Sequence, residues 1–188
     1  MTSDKRAAIL QATLNLISVH GFHGTAMSKV AKAAGVSAGI IYHYFDSKED
    51  LIDQLYLQVK FDLSQALLAG YSEALSIRER FGRVWLNILN FHLEHPKETA
   101  FQEQYENSPF VKPVVQETAM HYYAPLVQFL QQAMQDGILK IMPEPMFYAL
   151  TMEVAISLAK KQHAGTLVLD DALIEIAIEA CWNAVKGQ

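Results

Sequence analysis

Between Thr25 and Lys48 the chain gathers hydroxyls, amines, small side chains and polar-tipped rings at the spacing of two short helices and a turn. Thr25 and Ser37 stand at helix starts, where hydroxyls and unpaired backbone N–H groups meet phosphate oxygens. Ser28 and Lys29 fall in the first turn of the first short helix. Ala38, Gly39 and Ile40 open the second. Small residues there let a backbone approach base edges, and the branched Ile40 suits a thymine methyl. Tyr42 and His43 are placed for phosphates or base edges, and Lys48, at the start of the next helix, for a phosphate. The chemistry these residues offer is recognition of DNA. Their arrangement is a helix-turn-helix, which lays its second helix in the major groove.

Several elements must hold these groups in place. Gly35 sits where the chain turns and a positive φ is favoured. Met27, Val30, Ala31 and Ala34 point inward from the first short helix, and Thr25 and Ser37 serve as N-caps, the second helix running from about Ala38 to Tyr44. Upstream, Thr2, Ser3 or Asp4 caps a helix with Leu10, Leu14 and Ile17 on one face, closed by Gly21. Downstream, Asp46 or Ser47 caps a long amphipathic helix over about 48–69, with Glu49 and Asp50 at its positive end. Further helices are predicted over about 76–95, 97–107, 112–136 (kinked at Pro125), 144–165 and 170–186. No repeat, low-complexity segment or convincing strand interrupts the pattern. The expectation is an all-α chain of about nine helices.

With 51% hydrophobic and 19% charged residues, the 188-residue chain can bury a substantial core. The formal net charge of −5 argues at first against a nucleic-acid partner. Residues 1–50, however, carry Lys5, Arg6, Lys29, Lys32 and Lys48 against Asp4, Asp46, Glu49 and Asp50, leaving the acid excess to the remainder. A head so weakly basic must rely on geometry and hydrogen bonds as well as charge. The single cysteine, Cys181, allows no internal disulfide. Without a secretion signal or an apolar run of spanning length, the expected location is the cytoplasm, with no membrane partner.

The stretch GFHGTAMSKVAKAAGVSAGIIYHYFDSKEDL resembles the DNA-binding domain of TetR-type transcriptional regulators. The resemblance rests on Gly21-Phe22 before Thr25, the AxxAGVSxG turn from Ala31 to Gly39, Tyr42 with Phe45, and the SKEDL opening of the long helix. It covers about 50 residues; beyond them only the helical plan is similar. Two positions depart from the family pattern. Ser28 stands where many members carry a longer basic or polar reader, and Ile40 where threonine is common, so the operator sequence does not transfer.

The resemblance implies a DNA-binding domain over 1–47 and a ligand-binding and dimerisation domain over 48–188, joined by the long helix. It further implies a homodimer that binds a double-stranded operator and is released from it by a small-molecule effector. On the last helix, Leu173, Ile176, Ala177, Ala180 and Ala184 share a face whose small side chains would let a second copy approach closely. Aromatic and polar residues of the middle helices are candidates to line an effector cavity: Trp85, Phe91, His92, Phe101, Tyr105, Glu117, His121, Tyr122 and Phe129. They suggest an apolar or aromatic effector. An activator, or a global DNA binder of the same fold, is the alternative. A di-metal helical-bundle enzyme needs paired Glu-x-x-His motifs, and no Glu here has a His three residues on. No P-loop or nucleophile elbow is present, so neither catalysis nor a cofactor or metal is expected.

Overall fold

A computed structural model describes residues 2–187, with side chains from Asp4 onward. The Thr2 and Ser3 side chains, predicted as caps, lie outside the described residues. Eleven helices follow one another: α1 (Thr2–Gly24), α2 (Met27–Ala34), α3 (Ala38–Tyr44), α4 (Lys48–Leu67), α5 (Ile77–Glu94), α6 (Pro96–Glu106), α7 (Pro113–His121), α8 (Ala124–Gln135), α9 (Glu144–Leu150), α10 (Met152–His163) and α11 (Asp171–Val185). Among the described residues there is no strand, only an isolated bridge between Leu139 and Lys186. The all-α expectation holds, but two of the predicted helices are each broken in two. Pro125 does more than kink the helix predicted over 112–136. Lacking an N–H and crowding the carbonyl four residues back, it falls in the first turn of a new helix, α8. The second break is at Thr151, where no proline or glycine stands. Its carbonyl accepts from Trp85 Nε1 at 3.1 Å and faces Cys181 Sγ at 3.7 Å, while its own hydroxyl bonds Phe147 O.

Contacts divide the chain into two compact units, and the division falls at Phe61/Asp62, inside α4. The first unit comprises residues 1–61 and also 97–119, which return to it from later in the chain. Its core takes Ile9, Leu10, Leu14 and Ile17 from α1, Val30 and Ala31 from α2, and Ile41 from α3. Leu51, Ile52, Leu55 and Tyr56 of α4 join them, with Phe101 and Tyr105 of α6. Leu10, Leu14, Ile17, Val30 and Ala31 are among the positions predicted to face inward on α1 and α2, while Met27 and Ala34 pack partly buried against the same core.

The second unit comprises residues 62–96 and 120–188. Here α5 opens with a capping box, Ser76 and Glu79 each bonding the other's backbone N–H. It packs against α10, whose Ala155 and Ala159 are fully buried beside the large Trp85 and Leu89 of α5. Small residues opposite large ones let the two helices approach closely and fill the space between them. α11 is capped by Asp170, whose carboxylate accepts from Leu173 N, and buries Ile178, Cys181 and Val185.

Candidate nucleic-acid interface

The recognition elements begin where α1 breaks. Gly21 has φ +65°, a conformation that L side chains avoid, and it lets Phe22 fold back into the core. There the Phe22 ring lies 6.0 Å from Phe101 and 5.2 Å from Phe110. The break frees carbonyls, and two residues predicted to touch DNA are used to satisfy them. Thr25 Oγ1 donates to Gly21 O at 2.9 Å, and Lys48 Nζ to Phe22 O at 2.6 Å. Thr25 is only 1% exposed and is not the N-cap of α2; Ala26 is, without a side-chain cap. The Thr25 hydroxyl is spent inside the fold. Lys48 stays half-buried and fastens the start of α4 to the end of α1.

The turn itself forms as expected. Gly35 is left-handed at φ +66°, and Val36 N reaches back to Ala31 O at 3.0 Å, closing α2. Ser37 is the N-cap of α3, yet its hydroxyl makes no capping bond and is exposed. On α3, Ile41 is fully buried and Ile40 and Tyr44 lean on the same core. The opposite face carries Ala38, Gly39, Tyr42 and His43, all exposed, Tyr42 by 55%. Ser28 and Lys29 of α2 are exposed too, with Lys29 Nζ donating to Gly24 O. Lys32, one turn further along α2, is exposed as well; being basic and on the helix before the turn, it belonged among the candidates.

Gly39 is the informative position on that face. A Cβ there would meet only Ser37 Oγ, at 4.0 Å, and the backbone does not have a positive φ. Nothing inside the fold requires glycine, which a helix otherwise disfavours by up to about 1 kcal/mol. The missing side chain leaves room on the outer surface alone.

After α3, Ser47 caps α4 by accepting from Asp50 N at 3.1 Å, while the Asp50 carboxylate accepts from Asp46 N. Hydrogen bonds from its own backbone and from Ser47 hold the Glu49 carboxyl below its ordinary value. A buried network then fixes α4. Tyr105 Oη donates to Asp53 Oδ1 at 2.7 Å, Lys112 pairs with Asp53 Oδ2, and the Tyr56 and Tyr105 rings stack at 4.2 Å. Burial, then the bond to Asp53, pushes the Tyr105 hydroxyl well above the ordinary tyrosine value; the same carboxylate raises Lys112. No motif in the sequence announces this network.

The expected effector residues divide between the two units. Phe101 and Tyr105 are fully buried in the core of the first unit, and Glu117 is exposed in the same unit. Trp85, Phe91, His92 and Phe129 are buried in the second unit; there Tyr122 is half-buried and His121 exposed. On α11, Leu173, Ile176 and Ala180 are exposed, Ile176 by 64%, and Ala177 and Ala184 half-buried.

Comparison with known proteins agrees with the turn geometry. Residues 9–55 match the family described as bacterial regulatory proteins, tetR family, and residues 76–186 match the tetracyclin repressor-like C-terminal domain. The chain belongs to the TetR family. A TetR-family protein from Vibrio parahaemolyticus, described as a putative transcriptional regulator, is 33% identical with a TM-score of 0.88, covering 98% of this chain and 100% of that one. A TetR-family transcription regulator from Marinobacter aquaeolei VT8 reaches a TM-score of 0.93 at 29% identity, covering 99% of this chain and 97% of its own. An HTH-type transcriptional regulator of Haemophilus influenzae is 29% identical over 98% of this chain and 97% of its own length. This TetR-family chain is thus a DNA-binding transcriptional regulator and not an enzyme. No helix among the described residues is long and apolar enough to cross a membrane.

Proposed function

We propose that the chain acts as a homodimeric repressor, held on a pseudo-palindromic operator by two copies of α3 and released by a small-molecule effector bound in the second unit. The observation that carries the DNA part is the outer face of α3, where Ser37, Ala38, Gly39, Tyr42 and His43 are all exposed around a glycine the fold does not need. Ser28 and Lys29, with Lys32, flank it from α2. Lys48 contributes by holding the start of α4 against the end of α1, and its half-exposed amine adds positive charge for a nearby phosphate. The functional boundary we propose stays after residue 47. The rest of the first unit buttresses the reading head.

The dimer reading is supported by α11, where Leu173, Ile176 and Ala180 are exposed beside the face buried in its own unit, with Ala177 and Ala184 half-buried at the edge of that core. A two-fold pair of such helices would match two half-sites related by the same symmetry. Effector control requires an affinity difference between DNA-competent and released conformers, about 1–3 kcal/mol in typical cases. α4 is suited to transmit it, since Lys48–Phe61 belong to the first unit and Asp62–Leu67 to the second. Trp85, Phe91, His92, Tyr122 and Phe129 are the residues retained as effector contacts.

The test is operator selection from sheared genomic DNA, followed by anisotropy titration of the selected site. The Tyr42→Ala, His43→Ala double variant is expected to lose at least tenfold in specific affinity. Unchanged specific binding would remove α3 as the reader.

A further inference from the structure

Arg80, near the start of α5, is held differently from the other arginines whose partners are visible. Arg78 pairs with Glu179, and Arg6 donates to Gln54. Arg80 has no carboxylate partner among the described residues. Its guanidinium carbon lies 4.8 Å from the Phe129 ring centre and 5.9 Å from that of Tyr71, and Nη1 donates to Tyr71 Oη at 3.3 Å. The two rings meet edge to face at 6.0 Å. The Nε–H is closed off from solvent and has no acceptor. Stacking on aromatic rings explains the position of the guanidinium plane. It does not explain a buried donor left without an acceptor, or a half-buried cation without a counter-ion. The adjacent Glu79 carboxylate offers no relief, since it is committed to capping α5 through Ser76.

We propose that Arg80, Tyr71 and Phe129 form a binding site for a small-molecule carboxylate with an apolar or aromatic tail. This rests on reading the second unit as the effector domain, and it names the chemical class of effector. The guanidinium fork matches a carboxylate in a planar, two-bonded contact that a lysine does not reproduce. Tyr71, which accepts from Arg80, keeps its own O–H to donate to the same anion. The Phe129 and Tyr71 rings supply apolar walls. Arg83, one turn further along α5, lies against Gly70 and adds positive charge at this end of the helix. Tyr71 follows the last residue of α4 by four positions, so an anion that repositions it acts on the end of the helix that begins at Lys48.

The experiment uses the full chain and two matched probe pairs, octanoate against 1-octanol and benzoate against benzyl alcohol. Binding is read from the fluorescence of Trp85 and Trp182 and from thermal shift. At least one carboxylate is expected to bind ten or more times more tightly than its alcohol. R80M is expected to remove that preference, R80K to restore part of it, and Y71F to weaken the carboxylate three- to tenfold. The alcohols should bind R80M and wild type equally, which reports an intact fold alongside R80K. The site is overturned if neither carboxylate binds, if acid and alcohol bind alike, or if R80M retains the preference. Operator affinity measured with and without the carboxylate separates the two readings. Arg80-dependent binding that leaves operator affinity unchanged upholds the site and overturns the effector role. Release from DNA that persists in R80M overturns the site and leaves the effector role standing.

Discussion

Replacing Tyr105 by phenylalanine removes one oxygen and tests whether residues 97–119 are built into the first unit. The ring stays, so its stacking on Tyr56 and its contacts in the core are kept and no large cavity opens. What is lost is the 2.7 Å bond to the buried Asp53 carboxylate. A hydrogen bond to a charged acceptor contributes about 1.5–3 kcal/mol, and its deletion here leaves Asp53 with Lys112. We expect a loss of about 2 kcal/mol, or roughly 4–8 °C in Tm for a chain of this size. Lys112→Met is the internal control. The lysine side chain is 49% exposed, so solvent screens the pair, and its removal should cost less than about 1 kcal/mol. Because both variants act on Asp53, their effects should not add. Both tryptophans, Trp85 and Trp182, belong to the second unit, which separates the readouts. Urea unfolding of the full chain followed by far-UV circular dichroism reports both units, whereas tryptophan fluorescence reports the second. Tyr105→Phe should shift the dichroism transition to lower urea by at least as much as the fluorescence transition. A change below about 0.5 kcal/mol, or a larger loss from Lys112→Met than from Tyr105→Phe, would refute the account of the network.

Gly39→Ala should raise stability by about 0.4–1 kcal/mol, since the added methyl enters open space and stiffens the unfolded chain, yet weaken specific operator binding at least tenfold. A variant that is more stable and binds normally would show that the glycine serves no close approach. The alkaline limb of stability also follows from the network. Lys112 and Tyr105 both titrate above their ordinary values of 10.5 and 10.0 when folded, so their contribution is complete below about pH 10 and fades as pH rises through the folded values. Asp53→Asn should remove the Lys112 share while leaving the part of Tyr105 that comes from burial. Melting curves between pH 8 and 11.5 check this, and identical alkaline limbs in both proteins would contradict it. On α11, Ala180→Glu places a charge on the exposed stripe and should give monomers by light scattering at micromolar concentration, without lowering secondary structure content. A dimer that persists would move the interface elsewhere.

The recognition turn could be read in the sequence because its rules are local. A glycine at the left-handed position and serines at helix starts have few other uses in that order, and the structure places Gly35, Ser37 and Ser47 accordingly. Thr25 misled for the same reason. A hydroxyl before a helical stretch looks like a cap, but the break at Gly21 exposes a carbonyl that claims it. The break at Thr151 could not be seen, because it is stabilised by Trp85 and Cys181, far away in the chain. Phe101 and Tyr105 stand four residues apart, a spacing that places them on one face of a helix. That spacing holds no information on which core receives the face, and the structure places it in the core of the first unit.

The return of residues 97–119 to the first unit bears on how such a protein can be cut and recombined. A fragment ending at Phe61 would lack Phe101 and Tyr105, exposing Phe22 and Tyr56 and leaving the Asp53 carboxylate without its two partners. A chimaera that joins residues 1–61 to another regulator's body would inherit an incomplete core unless the new body supplied an equivalent α6 and α7. Transplanting the DNA specificity is safer by exchanging the outward positions of α2 and α3 alone, which leaves every buried partner of the first unit in its native chain.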